Sequence, residues 1–123
     1  MTNADFLRSI DMFSDLDDEL LKPIVDQSET VDLQRGDVVF QSGDESSDLY
    51  IVTHGRIAIG NRSFDGRESL VALMEAGDLF GEMPLFSNDG RSAEARALEE
   101  SSLIVIPYKP IKDLYDDIIS SLD

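Results

Sequence analysis

Cysteine is absent from this sequence, which removes disulfides, a thiolate nucleophile and thiolate-bound metal in one step. Histidine is nearly absent: His54 stands alone, too little to build a histidine-rich zinc or iron centre. Basic residues are scarce, 10 against 26 acidic ones, and only Lys22, Lys109 and Lys112 are lysines. A formal charge of −16 at pH 7 repels phosphate backbones, and no cluster of Lys or Arg forms the basic stripe that nucleic acid requires. No nucleic-acid-binding domain is expected within these residues. No apolar stretch approaches the roughly 20 residues of a membrane-spanning helix, and no basic leader followed by an apolar run opens the chain. The expectation is a soluble, cytoplasmic protein that engages no membrane. At 123 residues the chain has the length of one domain, enough to bury a core without covalent staples. Internal repeats and low-complexity segments are missing too.

What is present divides into three. From about residue 5 to 28, Phe6, Leu7, Ile10 and Phe13, then Leu16, Leu20, Leu21, Ile24 and Val25, recur at helical spacing. Two short helices are predicted, with Asp15 or Asp17 as N-cap of the second. Pro23 either kinks that helix or moves its start. From about 29 to 107 the rhythm becomes that of short strands: Val31 and Leu33, Val38 to Phe40, Leu49 to Val52, Ile57 to Ile59, Leu70 to Met74 and Leu103 to Ile106. Turn signals separate them, at Arg35-Gly36-Asp37, Ser42-Gly43-Asp44, His54-Gly55, Asp65-Gly66, Ala76-Gly77-Asp78 and Asp89-Gly90. From about 110 to 122, Ile111, Leu114, Tyr115, Ile118, Ile119 and Leu122 step by three and four, with Pro110 at the expected first helical position. That stripe is expected to lie against the strands. The fold class is mainly β with flanking helices, an all-β sandwich or jelly-roll barrel, and the lack of alternating βα units argues against a doubly wound sheet.

The chemistry concentrates in Phe80-Gly81-Glu82-Met83-Pro84-Leu85 followed by Arg91-Ser92-Ala93-Glu94-Ala95-Arg96-Ala97. Gly81 adopts backbone angles that a Cβ resists and lets the main chain approach a ligand closely. Glu82 and Arg91, at the two ends of one loop, suit the two polar ends of a sugar phosphate. The carboxylate accepts from ribose hydroxyls, while the guanidinium and exposed N–H groups take the phosphate. The alternative is an ordinary salt bridge that pins a loop.

A second stretch, Val39 to Gly55, supplies a turn, an apolar strand and a closing glycine ahead of that loop. In this order the two segments resemble the cyclic-nucleotide-binding domains of the catabolite-activator family of bacterial regulators, of cyclic-nucleotide-dependent kinase regulatory subunits and of cyclic-nucleotide-gated channels. The resemblance runs from about Phe13 to Leu122, with Arg35-Gly36-Asp37 and Asp65-Gly66-Arg67-Glu68 at familiar turns. It implies a double-stranded β-helix, or jelly-roll, barrel whose phosphate-binding cassette takes a cyclic nucleotide, with cyclic AMP the first candidate and no cofactor. By that resemblance Glu82 contacts the ribose 2′-hydroxyl, Arg91 pairs with the cyclic phosphate, Ser92 adds a hydroxyl or N–H, and Gly81 and Met83 contribute backbone and wall. Pro84, Ser46 and Glu94 depart from the family pattern: proline removes an N–H, serine replaces a small turn residue, and Glu94 adds negative charge near an anion site unless it points outward. Arg96 reads as a strand-surface residue, His54 as a hairpin residue, and Phe40, Tyr50, Phe80 and Phe86 as core.

In the bacterial regulators so resembled, a long helix after the barrel pairs two subunits, closes over the base and leads to a helix-turn-helix. The sequence stops at Asp123, before anything of that kind, so the expectation is either a stand-alone sensor or a fragment whose homodimerisation or output domain comes from segments beyond it. The expected function is the effector-sensing part of such a regulator. The competing reading keeps the fold and drops the nucleotide, as an interaction domain with a degenerate cassette, for which Pro84 and Glu94 speak. An enzyme using Glu82 as base would need a nucleophile, an acid partner or a metal beside it, and the sequence offers none, so no catalysis is expected.

Overall fold

The computed structural model describes residues 2–62, 67–82 and 90–121. Three helices precede the first strand where two were expected: α1 (Asn3–Arg8), α2 (Asp11–Ser14) and α3 (Asp18–Gln27). The extended backbone of Ile10 separates the first pair. A reciprocal cap opens α1, the Thr2 hydroxyl accepting from the Asp5 N–H at 3.2 Å and the Asp5 carboxylate from the Thr2 N–H at 3.0 Å. Arg8 then spans the turn after α2, donating to the Leu16 carbonyl at 3.1 Å and pairing with Asp18. Asp17 holds the N-cap position of α3 without a side-chain capping bond, and Pro23 lies inside that helix. Proline has no N–H to return to the carbonyl four residues earlier, so α3 leans on packing rather than on its own ladder.

Eight strands follow: β1 (Glu29–Leu33), β2 (Val38–Phe40), β3 (Asp48–His54), β4 (Arg56–Arg62), β5 (Glu68–Glu75), β6 (Leu79–Phe80), β7 (Glu94–Ala97) and β8 (Ser101–Pro107). They form two antiparallel four-stranded sheets, ordered β1-β8-β3-β6 and β2-β7-β4-β5, in the jelly-roll arrangement. The final helix, α4 (Tyr108–Ser121), begins two residues earlier than the pattern of the sequence suggested. Pro110 therefore stands third in the helix, where its missing N–H is still one of the four that lack an intrahelical partner. The N–H of Tyr108 donates instead to the Ser47 carbonyl at 2.8 Å.

Both faces of the first sheet are covered, which explains why β3 and β8 read as unbroken apolar runs. Leu49, Ile51, Ile104 and Ile106 face the helices, where they meet Leu7, Phe13, Ile24 and Ile111. Tyr50, Val52 and Leu103 face the second sheet and pack with Ile57, Phe80, Ala95 and Ala97. Each of the larger side chains removed from water here contributes about 1.5–3 kcal/mol. Three turns share one device that holds the barrel's corners. At Gln34–Asp37, Gln41–Asp44 and Glu75–Asp78 the third residue is a glycine with φ near +90°, and the aspartate carboxylate accepts the N–H of the turn's first residue at 2.8–2.9 Å. Three of the expected turn signals are these turns, His54-Gly55 falls at the link between β3 and β4, and Asp65-Gly66 and Asp89 lie outside the described residues.

Candidate functional site

Arg91 leaves the loop that precedes β7 and turns inward. Its backbone is clamped to the Gln41–Asp44 turn, its N–H donating to the Asp44 carbonyl at 2.8 Å and its carbonyl accepting from the Gly43 N–H at 2.7 Å. The two segments singled out in the sequence thus meet at this residue. Its side chain is only 5% exposed, in a protein whose charge would keep a cation well paired at the surface. Phe40 supplies a face 4.3 Å from the guanidinium carbon, with Tyr50 at 5.5 Å and Tyr108 at 5.9 Å. Tyr50 stacks on Phe80 at 5.1 Å, so an aromatic wall underlies the cation.

The bonds of the guanidinium are to oxygens without formal charge. Nη1 donates to the Gly81 carbonyl at 2.8 Å and to the Tyr108 hydroxyl at 3.2 Å, and Nη2 donates to the Asp48 carbonyl. The Tyr108 hydroxyl itself donates to the Gly81 carbonyl. Burial, opposed by the Arg91 cation, pushes the phenols of Tyr50 and Tyr108 above their ordinary range, so both stay neutral at pH 7. A guanidinium has five N–H donors. Three are engaged, leaving that of Nε, which is buried without a partner, and the second of Nη2. No carboxylate among the described residues pairs with Arg91, so the salt bridge to Glu82 weighed in the sequence is not formed. A buried cation with unused donors has the chemistry to hold an anion.

Gly81 follows β6 with φ +81°, and a Cβ there would stand 3.0 Å from Arg91 Nη1 and 3.0 Å from Tyr50 Cδ2. Glycine is therefore required twice, by its backbone angle and by the closeness of the guanidinium. Gly81, Glu82, Arg91, Ser92 and Ala93 line a cleft of about 270 Å³ together with Phe40 and Phe80. Ile59 and Asn61 of β4 and Val71, Ala72 and Met74 of β5 complete the lining. The cleft thus combines one cation and one acid with mostly apolar side chains, a lining that suits a small amphipathic anion. Glu94 does not face it. That carboxylate pairs with Arg96 at 2.8 Å on the outer face of β7, while Ala95 and Ala97 point into the core. Met83, Pro84 and Phe86 lie outside the described residues.

Four of the five site residues expected from the sequence, Gly81, Glu82, Arg91 and Ser92, are brought to one cleft. The wall from β4 and β5 was not foreseen, nor were Tyr108 and the Asp48 carbonyl behind Arg91. Phe40 was read as core, and it is also the face on which the guanidinium rests. Only the turn Gln41–Asp44 hinted at it, by placing Phe40 next to the anchor of Arg91. Among the described residues no group of three or more acidic or histidine side chains could hold a metal ion, and no helix is long and apolar enough to cross a membrane.

Comparison with known proteins identifies the family. Residues 30–117 match the model of the cyclic nucleotide-binding domain family, and the chain belongs to that family. A CRP-like cAMP-activated global transcriptional regulator of Mycobacterium tuberculosis is 34% identical over 89 residues, 72% of this chain and 40% of that protein. Human cGMP-dependent protein kinase 2 is 32% identical over 96 residues, 76% of this chain and 12% of the kinase. Among solved structures, the N-terminal domain of a transcriptional regulator from Streptomyces coelicolor A3(2) superposes with a TM-score of 0.79 at 34% identity, covering 91% of this chain and 78% of that one. The chain spans well under half the length of both full-length relatives.

Proposed function

We propose that the cleft binds a cyclic nucleotide, cyclic AMP before cyclic GMP, and that the domain acts as a regulatory sensor without catalysis. The buried Arg91 guanidinium, with two donors unused and no carboxylate partner among the described residues, carries this reading. A cyclic phosphate retains one negative charge and two exocyclic oxygens, which match those two donors. Glu82, in the same cleft, accepts from the ribose 2′-hydroxyl; Ser92 adds its hydroxyl or N–H, and Gly81 contributes backbone. The base then extends toward Ile59 and Met74. The mycobacterial relative is named for cAMP and the human kinase for cGMP, so both are test ligands. Occupancy would shift the population of loop and helix positions, and segments beyond residue 123 would supply dimerisation and the output of a transcription regulator.

Isothermal titration of the chain with each nucleotide tests the proposal. Saturable one-to-one binding is expected, and heats no larger than dilution up to millimolar nucleotide would exclude it. Gly81→Ala gives a finer check. Its Cβ must push against Nη1 and the Tyr50 ring from a left-handed backbone, at a stability cost of about 1–3 kcal/mol. Because the displaced group is the phosphate-binding guanidinium, nucleotide affinity is expected to fall further than stability does, and a variant that melts early yet binds normally would place the phosphate elsewhere.

A further inference from the structure

We propose that Tyr108 is a positioning residue for Arg91, and that through it the occupancy of the cleft is tied to the first turn of α4. This rests on reading the cleft as a cyclic-nucleotide site. Tyr108 is 4% exposed and lies behind the guanidinium rather than in the cleft wall. Its effect on a ligand therefore runs through Arg91.

The geometry is a closed ring of three bonds. Nη1 donates to the Tyr108 hydroxyl at 3.2 Å and to the Gly81 carbonyl at 2.8 Å, while the hydroxyl donates its own proton to that same carbonyl. The phenol thus accepts from the cation and donates to the carbonyl that shares it, which fixes the plane of the guanidinium. A phenyl ring would fill the same space and do neither. With the plane fixed, the two unused donors on Nε and Nη2 are held in one direction. Without it, two carbonyls alone would have to hold a cation resting on a smooth aromatic face.

Tyr108 is also the first residue of α4, and its N–H donates to the Ser47 carbonyl at 2.8 Å. Asp48, the next residue after Ser47, supplies the carbonyl that takes Nη2. Arg91 is therefore gripped by the start of β3 and the start of α4 together. A ligand that draws the guanidinium toward its phosphate pulls on both, and by linkage any partner that shifts α4 changes the ligand's affinity equally.

The test compares cyclic AMP with adenosine, which keeps base and ribose and lacks the phosphate. In the chain itself, Tyr108→Phe is expected to weaken cyclic AMP about tenfold and to leave adenosine, measured by displacement, within about twofold. In an Arg91→Gln background the same substitution should add nothing. Because the protein has no cysteine, a dye on Asp116→Cys reports α4 alone. Saturating cyclic AMP should change its emission in the otherwise unaltered chain and not in Tyr108→Phe. An equal loss for both ligands, a full loss in the Arg91→Gln background, or an unchanged dye response in Tyr108→Phe overturns the inference while leaving the site reading intact. If the unaltered chain binds no cyclic AMP, both fall. Thermal melting of each variant confirms that the fold is retained.

Discussion

Arg91→Ala is expected to lower affinity for cyclic AMP by about a hundredfold or more. Two charge-assisted hydrogen bonds, each worth about 1.5–3 kcal/mol, set that lower limit, since every 1.4 kcal/mol is a factor of ten. The rest of the protein argues against the anion. With a net charge of −16 the long-range field is repulsive, and salt screens it over about 8 Å at physiological strength. The attraction from a buried guanidinium is screened much less. Added salt is therefore expected to leave affinity unchanged or to tighten it, and a steep loss with salt would point to a surface cation instead. The substitution also takes a donor from the Asp48 carbonyl, while the Gly81 carbonyl and the Tyr108 hydroxyl lose the guanidinium and keep their bond to each other. Some loss of stability is expected with it, so titrations belong well below the melting transition of the variant. Arg91→Lys separates the two effects. It restores the charge but not the planar fork, and it is expected to recover only part of the affinity.

The parts of the fold that were legible in the sequence are its short apolar runs and the helical stripe that follows them. Val38 to Phe40, Ile57 to Ile59 and Leu103 to Ile106 all fall inside strands, and the stripe from Ile111 onward is a helix. The glycine-aspartate turns were legible because one dipeptide supplies both the left-handed residue and the carboxylate that closes the turn. Two strands escaped for different reasons. At two residues, β6 is too short to show any period, and it exists because Tyr50 and Ile51 pair with it. The four residues of β7 alternate alanine with charge, and alanine carries little strand preference. Its burial is set from outside, by β2 and β4 on either side.

The candidate site divides along the same line. Gly81, Glu82, Arg91 and Ser92 are neighbours in sequence around one loop, so spacing could find them. The partners that orient Arg91 are a carbonyl at residue 48 and a hydroxyl at residue 108, and a backbone carbonyl leaves no mark in an amino-acid sequence. Glu94 illustrates the converse. Its charge looked unfavourable for an anion until the strand alternation turned it outward to Arg96.

Gly55→Ala is expected to cost more stability than a substitution at any other described turn glycine of the barrel, about 3 kcal/mol or more. Gly55 is the single residue between β3 and β4, with φ +85°. A Cβ there would lie 2.2 Å from Ser101 Oγ, 2.5 Å from the Glu100 carbonyl oxygen and 2.7 Å from Ser101 Cα. Two of these are backbone atoms and cannot rotate away. Ser101 is itself fully buried, its Oγ accepting from the Arg56 N–H at 3.2 Å and donating to the Glu99 carbonyl at 2.9 Å. The strain therefore has two components, about 1–2 kcal/mol for a left-handed alanine and about 1–3 kcal/mol for overpacking. Gly36→Ala isolates the first, because Gly36 has φ +89° and open space where the Cβ would stand. Urea denaturation of both variants should give a loss for Gly55→Ala at least twice that for Gly36→Ala, and equal losses would mean that the hairpin yields without resistance. The same hairpin carries Asp48 and Tyr50 toward Arg91 on one strand and Ile59 and Asn61 toward the cleft on the other. If it is as rigid as the contacts with Ser101 require, Gly55→Ala should weaken nucleotide binding even at temperatures where the variant is fully folded, whereas Gly36→Ala, in a turn that bonds to β7 and lies outside the hairpin, should not.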